Sequence, residues 1–406
     1  MEISLLILYI TLFFSLVIFF FYLLIYLRTR YDIVAVDRSF EPEVTFLLPA
    51  YNVEKFIEHT VSKIMDLDYP KDKLKILIVN DGSYDNSLAV LKKLKKKYKN
   101  LSYLSKKNEG VKSYAVNYGL KHVKTDYVCV MDADTFPKRD LLRKVLREFK
   151  DKKIMAVTCK MLPINTDNLL GKMQFIEYSF TSFYRSLMHS ANSLHTTPAF
   201  TAFRTKVFKE VGYFDPGNLT EDLDMGLRIQ KAHYDVGFVI DSAAFTIVPS
   251  TFKLLSKERI RWTYGMLYNL KRHKDIFGTK YGDLGFFLLP SMLVSVFIVI
   301  AVVLLAGYNL LYIFIDFIRR WSLGYRPDFF DINWFSFFIS LTNLKIILSV
   351  ILVAFSSLSF FLIKRTVKEN VSYFGSMLYL FLYSWLLAYF YIVSITRFVL
   401  RKKPEW

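Results

Sequence analysis

The sequence predicts an α/β fold, a mostly parallel sheet with flanking transmembrane and interfacial α-helices. Three observations lead there. Between residues 44 and 159, short apolar runs bounded by turn residues alternate with helical stretches, the rhythm of a parallel sheet. Long apolar segments at both ends raise the hydrophobic content to 53%, high for a soluble protein. The run Asp126-Tyr127-Val128-Cys129-Val130 reads as a buried strand and closes on an acidic tip, Met131-Asp132-Ala133-Asp134. Strand ends of this kind are where open α/β sheets hold their ligands. Two carboxylates beside an anionic diphosphate make sense with a divalent cation between them, and Mg²⁺ and Mn²⁺ prefer such oxygen ligands.

At 406 residues there is room for one soluble domain and several membrane segments. Net charge is +18, from 54 Lys and Arg against 36 Asp and Glu. In a chain with membrane segments this marks cytoplasmic faces near anionic lipid rather than nucleic-acid binding. The run Lys92-Lys93-Leu94-Lys95-Lys96-Lys97 reads as a solvated helix face. Cys129 and Cys159 fall in predicted strands without metal-site spacing, and the six histidines are scattered, so neither a disulfide framework nor a zinc site is expected.

In chain order, residues 5–27 are almost wholly apolar and long enough to span a bilayer. No basic region precedes them, no small-residue cleavage site follows, and Arg28 and Arg30 flank them. They read as a retained anchor with its N-terminus outside. Strands are predicted at 44–48, 74–79, 101–105, 127–131 and 154–159, with helices at 52–65, 85–98 and through residue 120. Pro49-Ala50-Tyr51-Asn52 follows the first strand. Asn80-Asp81-Gly82-Ser83-Tyr84-Asp85-Asn86-Ser87 follows the second, with Asp85 a candidate N-cap. Thr220-Glu221-Asp222 opens a helix that runs to residue 232. Residues 169–188 and 252–268 mix aromatic and charged residues and suit helices lying against a membrane, or ordinary domain surface.

Pro-Ala-Tyr-Asn, Asn-Asp-Gly-Ser-x-Asp, Asp-Ala-Asp, Thr-Glu-Asp and Arg259-Ile260-Arg261-Trp262 occur in one order. In that order the chain resembles the family 2 inverting glycosyltransferases, above all their membrane-embedded branch. That branch includes the hyaluronan, chitin-oligosaccharide, poly-N-acetylglucosamine and cellulose synthases. The resemblance covers residues 44–269 and implies a GT-A-like nucleotide-binding domain on the cytosolic side of the cell membrane. By position, it implies that Ala50, Tyr51 and Asp81 hold the base and ribose of a UDP-sugar. Lys112 would lie near the diphosphate, Asp132 would contact the donor, and Asp134 with Asp132 would ligate Mg²⁺ or Mn²⁺. Asp222 matches the general base, and Glu221, Arg259, Arg261 and Trp262 the acceptor and diphosphate region.

The chemistry of these residue types agrees with such roles. Inverting transfer needs a carboxylate to take the acceptor proton and cations to hold the leaving diphosphate. A Trp offers a sugar ring a flat apolar face. The same residues have plainer readings. Thr220-Glu221-Asp222 suits a helix cap, the arginines suit interfacial cations, and Trp262 suits a membrane-belt aromatic.

The chain departs from the pattern at three places. Glu258 stands where the family carries Gln. Pro198-Ala199-Phe200-Thr201-Ala202 replaces a glycine-rich loop, and Asn80 replaces one of two paired acids. The first two put the acceptor sugar in doubt.

Beyond the domain, residues 284–317, 334–362 and 373–400 are candidate spans. Three spans would leave Arg401, Lys402 and Lys403 outside, against the positive-inside tendency. A hairpin hidden in one of the first two would reverse that. The organisation expected is an anchor (1–30), a cytosolic domain (31–250), interfacial helices with the Arg-x-Arg-Trp motif (251–283) and about three C-terminal spans (284–406). The expected partners are a UDP-sugar such as UDP-GlcNAc, a growing β-linked glycan or a lipid-linked acceptor, and the bilayer, with no nucleic acid.

Overall fold

In a computed structural model, described for residues 3–29, 39–324, 344–369 and 373–404, the chain divides into two units. One comprises residues 29–289 and 394–406 and holds an eight-stranded sheet. Its strands are β1 (Val44–Ala50), β2 (Leu74–Asp81), β3 (Leu101–Lys106), β4 (Tyr127–Met131), β5 (Thr135–Pro137), β6 (Ile154–Pro163), β7 (Phe200–Arg204) and β8 (Asp235–Thr246). Their order is β3-β2-β1-β4-β7-β6-β8-β5. Pairings from β3 to β4 are all parallel, as is β6 with β8. β7 lies antiparallel between β4 and β6, and β5 antiparallel on β8. The strand over 154–159 therefore does not continue the parallel run next to β4, because β7 intervenes.

Strand alternation sends side chains to two cores. Phe46, Leu48, Ile76 and Cys129 face one, with Ile57, Leu91 and Leu142 from α2 (Ile57–Met65), α3 (Ser87–Lys97) and α5 (Leu141–Glu148). Leu47, Leu77, Val128 and Val130 face the other, with Val116 and Met225 from α4 (Lys112–Leu120) and α8 (Glu221–Lys231). α4 comes close because residue 119 is glycine, where a Cβ would meet Leu47 and Val79. Both cysteines are free and buried, which pushes the Cys159 thiol up to about 12.

α2 begins five residues later than the pattern suggests. Residues 52–56 form a turn, in which Asn52 adopts a positive φ of 55°. Asp85 is not the N-cap of α3. That position is Asn86, and Asp85 instead accepts from Ser87 N at 2.9 Å and Glu54 N at 3.2 Å. α6 (Leu169–Ser190) buries Met173, Ile176, Phe183 and Leu187 and packs on β6 and β8, a domain helix in this unit. α9 (Phe252–Arg272) buries Leu255, Arg259, Ile260 and Tyr264.

The other unit, residues 1–28 and 290–393, is helical. α1 (Ile3–Arg28) packs on the helix Leu344–Val367, and residue 307, a glycine, faces Trp385. Among the described residues, three helical segments are long and apolar enough to cross a membrane: Tyr9–Arg28, Leu284–Ser322 and Leu382–Val399. Within the second, Leu289–Ser322 is one continuous α-helix of 34 residues, so it contains no hairpin. At about 1.5 Å per residue it outruns a hydrocarbon core of about 30 Å. The start of the second predicted span, residues 334–343, lies outside the described residues. In the last helix, Tyr383 is fully buried and stacks on Tyr379 at 4.7 Å.

Candidate active site

The ends of β1 and β2 are zipped to each other. Asn52 N donates to Ser83 Oγ at 3.0 Å, Tyr84 N to Asn52 Oδ1 at 3.0 Å, and Val53 N to Ser87 Oγ at 2.8 Å. Asn86 N completes the seam on Glu54 Oε2 at 2.8 Å. The two motifs thus hold one another by backbone donors and short polar side chains, the usual work of Asn, Asp and Ser in turns. Gly82 has φ of 69° and a Cβ there would lie 2.8 Å from Asn108 N, so the turn needs glycine. The cradle leaves Tyr51 48% exposed, edge-on to Tyr84 at 6.0 Å. Ala50 is buried at the strand end. Asp81 is buried too, and Lys106 donates to its Oδ1 at 2.9 Å while also pairing with Glu109 at 2.7 Å. Lys106 is a site neighbour that the motifs did not announce.

At the tip of β4, Asp132 N donates to Ala199 O at 3.0 Å, and Thr60 Oγ1 to Ala133 O at 2.5 Å. The first residue of α4, Lys112, pairs with Asp132. Burial pulls the Lys112 ammonium down, but Asp132, Glu221 and Asp134 outweigh it and hold it above its usual value. Burial and then Asp132 push Asp134 up to about 6, against Lys112. Glu221 is pushed up to about 7, first by burial and then by Asp222, against Lys112 and Arg261. These mutual effects link Lys112 with Asp132, Asp134 and Glu221, although they come from α4, the β4 tip and the start of α8.

Thr220 is the N-cap residue of α8, yet its side chain makes no capping bond. Its hydroxyl instead accepts from Asn269 Nδ2 on α9 at 2.9 Å. The helices approach this closely because residue 265 is glycine, where a Cβ would strike Thr220. Asn218 and Asn269 donate to each other's oxygens at 2.6 and 3.2 Å. Asp224, one turn into α8, accepts from His273 at 2.8 Å and from Arg228 Nε at 2.8 Å. Arg261 donates to Leu219 O at 2.9 Å and lies beside Glu221. Sequence reasoning had assigned neither Asn269 nor His273.

Arg259 is buried and fully engaged. Its Nε and Nη2 clasp Glu177 of α6 at 3.0 and 2.5 Å, Nη1 reaches Glu258 at 2.5 Å, and Nη2 reaches Gln174 at 3.4 Å. Its guanidinium lies 4.1 Å from the ring centre of Trp262, which stays 37% exposed. Arg259 thus joins Trp262 to Glu177 of α6. Arg185, also on α6, is half-buried; desolvation lowers its guanidinium while the nearby charge of Asp222 opposes this. Among the described residues, no three His, Cys, Asp or Glu side chains form a complete metal cage. A cation at Asp132 and Asp134 would complete its shell with phosphate oxygens and water, the usual habit of Mg²⁺.

A family model, "Glycosyltransferase like family 2", matches residues 42–265, more than half of the chain. The poly-β-1,6-N-acetyl-D-glucosamine synthase of Staphylococcus aureus (strain COL) is 34% identical over 225 residues, 55% of this chain and 54% of that protein. Its namesake in Staphylococcus epidermidis is 31% identical over the same length and shares. The chain thus spans about half the length of the curated relatives it matches. In fold it is similar to the mannosyltransferase PcManGT from Pyrobaculum calidifontis, solved with GDP-Man and Mn²⁺. The TM-score is 0.66, with 17% identity and 98% of each chain covered. With its motifs gathered at the ends of a GT-A-like sheet, the chain belongs to glycosyltransferase family 2.

Proposed function

We propose that the chain is a processive, inverting glycosyltransferase of the cell membrane, extending a β-linked polysaccharide from UDP-GlcNAc or a similar UDP-hexose on its cytoplasmic side. The observation that carries this reading is the grouping of Lys112, Asp132, Asp134 and Glu221, with Asp222 next in the chain, at the end of β4, which pairs in parallel with β1, the strand that leads to Ala50 and Tyr51. The staphylococcal relatives are named for polymers of N-acetylglucosamine, which supports the sugar and the polymer. The helices long and apolar enough to cross a membrane support the setting.

In this reading Tyr51 and Asp81 hold the nucleoside, with Asp81 Oδ1 fixed by Lys106. Lys112 and Arg261 face the diphosphate. The carboxylate of Asp222 takes the proton from the acceptor hydroxyl as its oxygen attacks the anomeric carbon. Trp262, steadied by Arg259, offers its ring to the acceptor sugar. The donor set fits a divalent cation, because burial and then the charge of Asp132 lift Asp134 to about 6, and a cation would offset both. Mg²⁺ or Mn²⁺ held by Asp134 with Asp132 would offset the negative charge of the leaving diphosphate.

The test is to incubate the purified protein with radiolabelled UDP-sugars and Mn²⁺ and to size the product. A long polymer from one donor, abolished by EDTA and restored by added metal, is expected. Single-sugar products on a lipid acceptor would replace the processive reading, and full turnover in EDTA would remove the metal.

A further inference from the structure

Where edge strand β5 pairs with β8, a cavity of about 810 Å³ opens beside the C-terminal half of α2. Its apolar lining includes Phe136 and Phe245, which face each other in register across the two strands, together with Pro137 and Ile164. Its rim is cationic: Lys63, Lys71, Lys138 and Arg139, with His59 beside them and Asp66 the one carboxylate among the lining residues.

The charge at this rim is left open in a way the neighbouring surface is not. On α5, Arg143 pairs with Glu41 at 2.8 Å, Lys144 with Asp140 and Asp241 at 2.9 and 3.2 Å, and Arg147 with Asp241 at 3.1 Å. Around the cavity, the side chains of Lys63, Lys138 and Arg139 make no hydrogen bond or salt bridge to any described residue. Asp140, the acid nearest Lys138 in sequence, is bonded by Lys144 and by Ser242 at 2.6 Å, and Lys138 acts on it only as the last of its charge neighbours. Lys71 Nζ donates to Leu67 O at 2.5 Å. Burial lowers its ammonium, Asp66 resists, and the charge of Arg139 adds to the lowering. Like charges gathered at a concave apolar site repel one another unless an anion joins them.

We propose that this cavity binds a phosphate-bearing amphiphile, its anionic head held by Lys63, Lys138 and Arg139 and its apolar part resting on Phe136 and Phe245. Lysine and arginine are the side chains that recognise phosphate, and the two rings supply apolar area beside them. Its lining shares no residue with the acid cluster. It is linked to that cluster through the chain: Phe136 follows Asp134 by two residues, and Thr60, next to His59, holds Ala133 O.

The test uses the full chain in detergent with UDP and Mn²⁺ saturating the donor site, so that a diphosphate cannot report on it. Farnesyl diphosphate is the probe, and inorganic pyrophosphate is its head alone. Farnesyl diphosphate should bind at least tenfold more weakly to the triple variant Lys63→Ala, Lys138→Ala, Arg139→Ala. Phe245→Ala should shrink its advantage over pyrophosphate. Competition by phosphatidylglycerol but not by phosphatidylcholine would identify a bilayer lipid as the source of the phosphate, and no competition a free diphosphate. The triple variant leaves the proposed transfer residues untouched, so donor turnover reports that it has folded. Binding to a folded triple variant as tight as to the unmodified chain would overturn the proposal, as would no binding of either amphiphile.

Discussion

The two sides of the site are built differently. On the proposed nucleotide side, Tyr51, Asp81, Lys112 and Asp132 stand at strand ends or on the first residue of a helix. The first two are held by bonds between two short motifs, such as Asn52 to Ser83 and Val53 to Ser87, and the last two pair with each other. On the proposed acceptor side, Asp222 and Trp262 stand on helices fixed to their neighbours by buried side-chain pairs. Arg259 pairs with Glu177, His273 with Asp224, and Asn269 with Asn218, each pair 49 or more residues apart in sequence. A turn motif carries its own support, so a change there is felt locally. A helix seam draws its support from elsewhere in the chain, so chemistry and stability are entangled.

The largest expected effect separates those two on the acceptor side. Asp222→Asn keeps size and hydrogen-bonding capacity but removes the basic carboxylate. If Asp222 is the base, kcat falls by about 10²–10⁴ at saturating donor, the range for positioned base catalysis, while donor affinity holds. A plain helix-start residue would lose only a few-fold, since Asn caps nearly as well as Asp. Near-normal kcat in the Asn variant takes Asp222 out of the mechanism.

Two residues further on, Asp224 isolates the seam. Burial raises its carboxyl, but the His273 hydrogen bond, Arg228 and Arg272 outweigh burial and hold it below the ordinary carboxylate range. A depressed folded-state pKa adds stability above the unfolded value of about 3.9, and that stability is lost as pH falls through the folded value. Asp224→Asn should therefore lower stability by about 3–5 kcal/mol near neutral pH, the usual result of breaking a buried charge pair. Thermal unfolding of both proteins should converge as pH drops below about 4. A gap that persists in acid would mean that packing, and not charge, fixes α8 to α9.

The same contrast explains what the sequence could reveal. β1 to β4 and their tips are legible because contiguous apolar runs and turn residues specify both the strand and the loop that follows it. β5, β7 and β8 escape notice: β5 is three residues long, and the antiparallel place of β7 depends on partners distant in sequence. Glu177 reads only as a charge interrupting an aromatic helix, because nothing local tells that Arg259 lies against it. Asp85 is read as a cap, although its two oxygens serve a neighbouring loop as well as its own helix. The Arg-x-Arg-Trp motif is visible, but the inward turn of its first arginine is a tertiary fact.

The smallest expected effect concerns that arginine and the residue that departs from the family pattern. Arg259 has two carboxylate neighbours. Glu177 binds it through two oxygens, at 3.0 and 2.5 Å, and Glu258 through one, at 2.5 Å. Gln in place of Glu177 offers one oxygen and an amide that opposes the guanidinium donors, so one arm of a charge-assisted fork is lost. We expect Glu177→Gln to lower stability by about 1–3 kcal/mol and to raise the acceptor KM while the donor KM holds, because Trp262 loses its fixed neighbour. Glu258→Gln keeps an oxygen for Nη1 and leaves the Glu177 fork to balance the charge, so its effect should stay under about 1 kcal/mol. Thermal unfolding and the two KM values, measured on both variants, decide the matter. Equal effects, or a larger one at Glu258, would move the anchor of the Trp262 platform from α6 to α9 itself.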